Sequence, residues 1–299
     1  MGENNSISDL IEYNHNILTR EFTALSNSAD AKICAAYFTS KRQKIDVDLL
    51  SNTCFLLKDR CGHYSALCDR GLLASASLLC TESRDIETRI DDLGEICRDL
   101  GAHREGQNIT APAVFLAEAY SNPLDWTSIS AAIRTLKHEA ISRYPSLGEL
   151  DRTVCTAFVL SGDDPTELLA DSEKCLAGLN SIWGTKENNT FAACMLALCR
   201  GTAEEKVSAL KAFSDRLNAK GVKVHPYCLP ELISLLCSKT DDDTESRISA
   251  FTAVLKRIRG FGIFTMPPQK RLSIAALATE THTDKKAELL ALDKMFKSL

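Results

Sequence analysis

The chain has 299 residues, of which 44% are hydrophobic and 25% charged, and this balance excludes a disordered chain. Its net charge of −5 disfavours a nucleic-acid backbone as the main partner. No apolar run approaches the roughly 20 residues that a membrane span needs, and the N-terminus lacks a signal-peptide pattern. The sequence therefore predicts a cytoplasmic protein without a membrane span. Gly2 and Ser6 fit the bare myristoylation pattern, which the sequence alone does not decide.

The first predicted element is an N-terminal cap helix over residues 7–25, within an N-terminal segment 1–30. After it, similar short apolar segments recur along the chain, such as AKICAAYFTS, GLLASASLLC and TFAACMLALC. They begin at residues 31, 71, 111, 151, 190, 229 and 271, in steps of 40, 40, 40, 39, 39 and 42. A period this constant over seven copies indicates a repeat architecture.

Each copy continues into a polar turn and a second, amphipathic helix. The predicted N-cap residues are Asp85, Asp125, Asp164, Thr202, Asp243 and Thr283. The second helices carry apolar residues in a 3-4 spacing, as in Ile90, Leu93 and Ile96. Glycines near the helix ends predict left-handed caps at positions 62, 101, 184, 221 and 260.

The first helix of each unit, helix A, is apolar on all sides, so it must be covered by its own helix B and by neighbouring units. The sequence predicts an all-α fold: an α-α solenoid, or superhelix, of about seven ~40-residue helical hairpins. Residues 31–299 would form a single repeat domain, in the size range of HEAT and TPR-like arrays. Mid-helix positions predicted to be buried are Ala36, Ala76, Val114, Ala157, Met195, Leu235 and Ala276.

The twelve cysteines contain no C-x-x-C pair and mostly lie among apolar residues. They are predicted to be small, reduced core residues without disulfides, because disulfide frameworks belong to short secreted chains. The motif search yields no catalytic group, metal or cofactor. Cys61, His63 and Cys68 are too loosely spaced for zinc, TDDDTE lacks the glycine of a calcium loop, and His138 fits a surface or groove-lining position.

The candidate binding residues lie in loops where a helix B leads into the next helix A. His63 and His103 are 40 residues apart, and His225 lies 122 residues further on, close to three periods. With the neighbouring Tyr64 and Tyr227, these side chains are predicted to line one rim of the array. Polar loops also collect histidines without any binding role, and this alternative stays open.

Two segments carry a resemblance to a known family: LLKDRCGHYSALCDRGLLASASLL and its echo VLKRIRGFGIFTMPPQKRLSIAALA. Each joins a helix that ends in Lys or Arg and Gly, a short aromatic-bearing loop and a small apolar helix. The pattern resembles an uncharacterised bacterial all-helical family (domain of unknown function 4003). The resemblance would cover nearly the whole chain, and it implies no activity and no functional residues.

The leading hypothesis for function is a non-catalytic scaffold or interaction module that binds a protein or peptide in an extended groove. The alternative is an enzyme with a pocket in a curved or closed helical array, where titratable side chains from several units would meet. A third class, nucleic-acid binding, would need a continuous basic stripe, which the net charge disfavours.

Overall fold

A computed structural model describes residues 7–22, 28–62, 71–82, 85–99, 123–236, 244–258, 268–279, 290 and 294. Within these ranges the chain forms thirteen α-helices, two short 3-10 helices and no strand, which confirms the all-helical prediction. The helices are α1 Ile7–Glu21, α2 Ser28–Ser40, α3 Val47–Cys61, α4 Leu72–Glu82, α5 Ile86–Asp99, α6 Pro123–Arg143, α7 Arg152–Ser161, α8 Pro165–Trp183, α9 Glu187–Ala197, α10 Ala203–Ala219, α11 Leu229–Leu236, α12 Thr244–Ile258 and α13 Pro268–Thr279. No described helix is both long enough and apolar enough to cross a bilayer.

The chain divides into two compact units, residues 1–131 with 292–299 and residues 132–291. In the first unit α1 packs on α2, α2 on α4, and α3 on both α4 and α5. Asn14 of α1 is fully buried and secures the turn after α2. Its amide donates to Thr39 Oγ1 at 3.2 Å and to the Gln43 carbonyl at 3.0 Å, and its Oδ1 accepts from the Ile45 N–H at 3.0 Å.

In the second unit each short apolar helix contacts the next short apolar helix along the chain. Helix α7 packs on α9, α9 on α11 and α11 on α13. The longer helices α8 and α10 also pack on each other, and α9 lies against both of them. Each short helix is therefore covered by neighbours on several sides, as an all-round apolar sequence requires.

Burial of the short helices agrees with the predicted register. Ala36, Ala76, Ala157, Met195, Leu235 and Ala276 are all at most 1% exposed, and Val114 lies outside the described residues. The predicted apolar stripes of the longer helices also face inward, as Ile90, Leu93 and Ile96 of α5 do. The periodic small and apolar positions of the sequence thus correspond to the helix contacts of the fold.

The predicted helix starts are confirmed at three described positions. Asp85 and Asp164 accept from backbone N–H groups in the first turns of α5 and α8. Thr202 and Glu205 form the predicted capping box of α10, with distances of 3.3 and 2.8 Å. Asp125 is not a cap, because α6 begins two residues earlier at Pro123, whose fixed φ suits the first helical position. Asp243 and Thr283 lie outside the described residues.

The glycine prediction is confirmed at two helix ends and wrong at a third. Gly184 and Gly221 have φ of +71° and +79° at the ends of α8 and α10. Gly62 follows α3 with a right-handed φ of −58°. There a Cβ would lie 2.5 Å from the Lys58 carbonyl oxygen, so this position requires glycine for close approach rather than for a left-handed turn. Gly101 and Gly260 lie outside the described residues.

Most cysteines are core residues, but the prediction that none forms a disulfide is wrong. Nine described cysteines are free thiols, and all of them except half-buried Cys80 are buried. Cys199, two residues beyond the end of α9, is disulfide-bonded. Recurrence of a cysteine at one position of the repeat suits close packing, and the same closeness can bring two sulfur atoms within bonding distance.

Candidate functional site

The turn between α10 and α11 positions two of the predicted binding residues. After α10 ends at Ala219, Gly221 reverses the chain with its positive φ. The Val222 N–H then donates to the Leu217 carbonyl at 2.9 Å, and the Val224 N–H donates to Asn218 Oδ1 at 3.2 Å. These bonds tie the turn to the last turn of α10.

His225 caps a short 3-10 helix, Pro226–Cys228, which leads into α11. The Tyr227 N–H donates to His225 Nδ1 at 3.4 Å. The two rings stack with centroids 4.9 Å apart and planes only 3° from parallel. The 3-10 turn therefore holds both rings in one relative orientation.

The stacked pair is partly exposed to solvent, and the residues that follow it are packed in the core. Tyr227 is 50% exposed, whereas the next residue, Cys228, is 1% exposed. The 3-10 helix contacts α9, α11 and α13, so the pair rests on the packed helices of the second unit. An exposed and pre-oriented aromatic surface can take up a ligand side chain or a proline ring with little loss of conformational entropy.

The other predicted binding residues, His63, Tyr64 and His103, lie outside the described residues. Their position on a common rim with His225 and Tyr227 therefore stays a prediction. The sequence identified the two described members by their loop position, and it contained no signal for the stacking of their rings.

A second surface was not singled out from the sequence. A shallow depression of about 540 Å³ lies on α6, and its described lining consists of Arg134, Thr135, His138, Glu139, Ser142 and Arg143. This agrees with the sequence interpretation of His138 as a surface or groove-lining residue. The signal was present in the sequence, since Arg134, His138 and Ser142 repeat every four residues along one helix face.

Buried thiols in both units have strongly raised pKa values. Burial, which disfavours the thiolate, is the main cause that raises the pKa of Cys34, Cys155 and Cys194 to about 12. These thiols stay protonated near neutral pH, and such residues serve packing better than nucleophilic attack.

Potential metal ligands are separated or engaged elsewhere within the described residues. Cys61 is buried, and its thiol donates to the Ile90 carbonyl at 3.4 Å, while His63 and Cys68 lie outside the described ranges. Glu245, next to the acidic run at 241–243, forms an ion pair with Lys220 at 2.7 Å. In the part of the chain that the structure describes, no three His, Cys, Asp or Glu side chains are grouped so that they could hold a metal ion.

Comparisons with known proteins give a family and no assigned activity. No curated protein and no solved structure matches the chain significantly. One family model, described as a protein of unknown function (DUF4003), matches residues 14–296. This match spans nearly the whole chain, as the resemblance of the two repeat segments implied, and it shows that the chain belongs to the DUF4003 family.

Proposed function

We propose that this protein is a non-catalytic interaction module that binds a protein or peptide along a groove between stacked helical hairpins. The observation that carries the proposal is the half-exposed Tyr227 ring, stacked on His225 above a buried anchor. Aromatic residues that are rigid and partly exposed are favoured anchors for protein and peptide ligands. The cytoplasmic location expected from the sequence remains a prediction.

The proposed architecture is the solenoid indicated by the repeat, with residues 31–299 as one array after the N-terminal cap helix. The serial contacts of α7, α9, α11 and α13, together with the contact between α8 and α10, support it. Such stacking of like helices is how helical repeats bury a continuous core and leave one helix set to line a groove.

The proposed binding rim comprises His63, Tyr64, His103, His225 and Tyr227. The spacing of the three histidines, close to whole multiples of the repeat, supports a common edge. In this arrangement the stacked His225–Tyr227 pair would be one of several aromatic or imidazole contacts along an extended ligand.

A peptide array probed with the full chain tests this function. We expect discrete peptides to bind and the Tyr227→Ala variant to bind them about tenfold more weakly, because a buried aromatic contact contributes 1 kcal/mol or more. Tyr13→Ala is the matched control, since Tyr13 is another exposed tyrosine, 42% exposed on α1. A His63/His103/His225 triple alanine variant extends the test to the whole rim.

Equal binding by the wild type, Tyr227→Ala and the triple variant would remove the rim as the binding surface. An array without any bound peptide would contradict the interaction module and favour the alternative, an enzyme that acts on a small molecule. That alternative has a separate signature, a deep pocket where titratable side chains from several repeat units converge.

A further inference from the structure

The depression on α6 lies on the side of the helix that faces away from its buried residues. Ile129, Ile133, Leu136 and Ala140 are buried, and at 100° per residue they share one face of the helix. Arg134, His138 and Ser142 are exposed on the other side, with Arg143 beyond them. The lining is thus not part of the core and is open to a ligand.

Two side chains of the lining, Arg134 and His138, are available to bind a ligand. Glu139 is engaged, because its Oε1 pairs with Arg143 at 2.9 Å and accepts from Thr166 Oγ1 at 3.3 Å. Arg134 and His138 have no hydrogen-bond or ion-pair partner within the described part of the chain. An exposed arginine presents a fork of N–H donors that matches a carboxylate in a bidentate geometry.

The spacing of these side chains matches an extended peptide. Along an α-helix, Arg134, His138 and Ser142 rise in steps of about 6 Å. Side chains on one side of an extended chain are about 6.7 Å apart, because every second residue points the same way. The Ser142 hydroxyl donates to the Glu139 carbonyl at 3.1 Å, and one guanidinium nitrogen of Arg143 is paired with Glu139. Carboxylates at alternate positions of a peptide could therefore meet Arg134, then His138, and finally the remaining N–H donors of Arg143.

An apolar side chain lies beside this row. Ile141 is 54% exposed, although it is a large aliphatic residue, and it follows His138 by one helical turn. It would contact an apolar residue of a bound peptide. A hydrophobic contact next to charge-complementary contacts is typical of peptide recognition on a helix surface.

We propose that this face of α6 binds an extended acidic peptide, with carboxylates at alternate positions and an apolar side chain against Ile141. This goes beyond the rim function, since it assigns a second surface and the chemistry of its ligand. A polyanion such as nucleic acid fits less well, because the lining contains the Glu139 carboxylate and the chain has a net charge of −5.

The test begins with selection from a random peptide display library on the full chain. We expect enrichment of Asp and Glu at alternate positions. The Kd of one selected peptide is then measured by fluorescence anisotropy. Arg134→Glu should weaken its binding about tenfold or more, and raising the salt from about 0.1 M to about 1 M should weaken it as well.

Arg200→Glu is the matched control, because Arg200 is also exposed and unpaired within the described residues, and the change in net charge is the same. It should leave the Kd within about twofold, a change too small to indicate a lost contact. Tyr227→Ala should also retain acidic-peptide binding, which separates this surface from the proposed rim. Unchanged far-UV circular dichroism of the variants shows that they are folded.

Four results would overturn the proposal. The first is a selection without acidic enrichment. The second is equal loss of binding in Arg134→Glu and Arg200→Glu, which would indicate a general charge effect. The third is displacement of the peptide by a single-stranded oligonucleotide at a lower concentration than by unlabelled peptide, which would favour nucleic acid. The fourth is that acidic peptides bind normally to Arg134→Glu and fail to bind to Tyr227→Ala, which would mean that the rim binds them and the α6 surface does not.

Discussion

Lys206 is a lysine whose side chain is only 5% exposed, and two acceptors from other helices hold its ammonium group. Its Nζ donates to Asp171 Oδ2 of α8 at 2.6 Å and lies 3.4 Å from the Ala197 carbonyl at the end of α9. A buried ammonium without a counter-charge is costly, because the protein replaces only part of its hydration. This one side chain therefore links three helices of the second unit.

We expect Asp171→Asn to lower the free energy of unfolding by about 2–3 kcal/mol, because the amide leaves the buried ammonium without its counter-charge. Asp215→Asn is the control. It breaks the Lys211–Asp215 pair, which has a similar 2.6 Å distance but exposed partners, and should cost about 0.5 kcal/mol or less. Urea unfolding of both variants measures the difference. Equal losses would contradict a special role for the buried pair.

The buried thiols predict a pH effect whose sign follows from their raised pKa values. Burial raises the pKa of Cys194 from 9.0 to about 12. Between these values the unfolded thiol ionises while the folded thiol keeps its proton, so the free energy of unfolding falls as the pH rises through this window. Below pH 9 the contribution is fully present.

Replacement of this thiol tests that effect. The Cys194→Ala variant should lose stability less steeply than the wild type from pH 9 upward, by roughly 1 kcal/mol per pH unit. Urea unfolding at several pH values gives both slopes. Parallel slopes would mean that Cys194 ionises as readily in the folded chain as in the unfolded chain.

At the scale of the element, the short apolar helices leave little room for larger side chains. Ala76 of α4 and Ala157 of α7 are both fully buried, and they occupy corresponding positions of the predicted repeat. Alanine at such positions lets helix backbones approach closely, and a leucine would have to displace its neighbours.

Ala76→Leu and Ala157→Leu should each destabilise the fold by roughly 1–3 kcal/mol through overpacking. Ala209→Leu on the exposed side of α10 is the control and should be nearly neutral, because leucine is also a good helix former. Thermal melting followed by circular dichroism compares the three variants. An unchanged melting temperature in both core variants would argue against the alignment of the repeats.

At the scale of the whole molecule, the two tryptophans can separate one folding domain from two. Trp126 lies in the first compact unit and Trp183 in the second. Trp126 is 2% exposed, so its fluorescence reports on the core of its unit. A repeat array with strong coupling between neighbours would unfold both environments together.

The Trp126→Phe and Trp183→Phe variants each retain one reporter. If residues 31–299 form a single repeat domain, urea unfolding followed by fluorescence should match the loss of helix by circular dichroism in each variant. Two transitions in circular dichroism, each matching only one tryptophan, would show that the units unfold independently. The far-UV spectrum itself should contain no substantial sheet signal, as the thirteen described helices require.

The sequence alone predicted the all-helical class and the burial of the alanines at positions 36, 76, 157 and 276. It could do so because helix periodicity, caps and small-residue positions are local or strictly periodic signals. The predictions of a helix cap failed where a neighbouring proline or close packing determines the local backbone. Pro123 starts α6 ahead of Asp125, and close packing requires Gly62 to be glycine with a right-handed φ.

The candidate binding surfaces could be identified from the sequence only in part, and their geometry is decided by the tertiary structure. The sequence identified His225 and Tyr227 by their loop position, but only the 3-10 turn brings their rings to 4.9 Å. The pairing of Lys206 with Asp171 joins residues 35 positions apart, and the disulfide at Cys199 has no marker in the local sequence. Periodicity states which face of a helix is buried. Which exposed side chains meet, and which charges remain unpaired for a ligand, depends on the packing of helices that are distant in sequence.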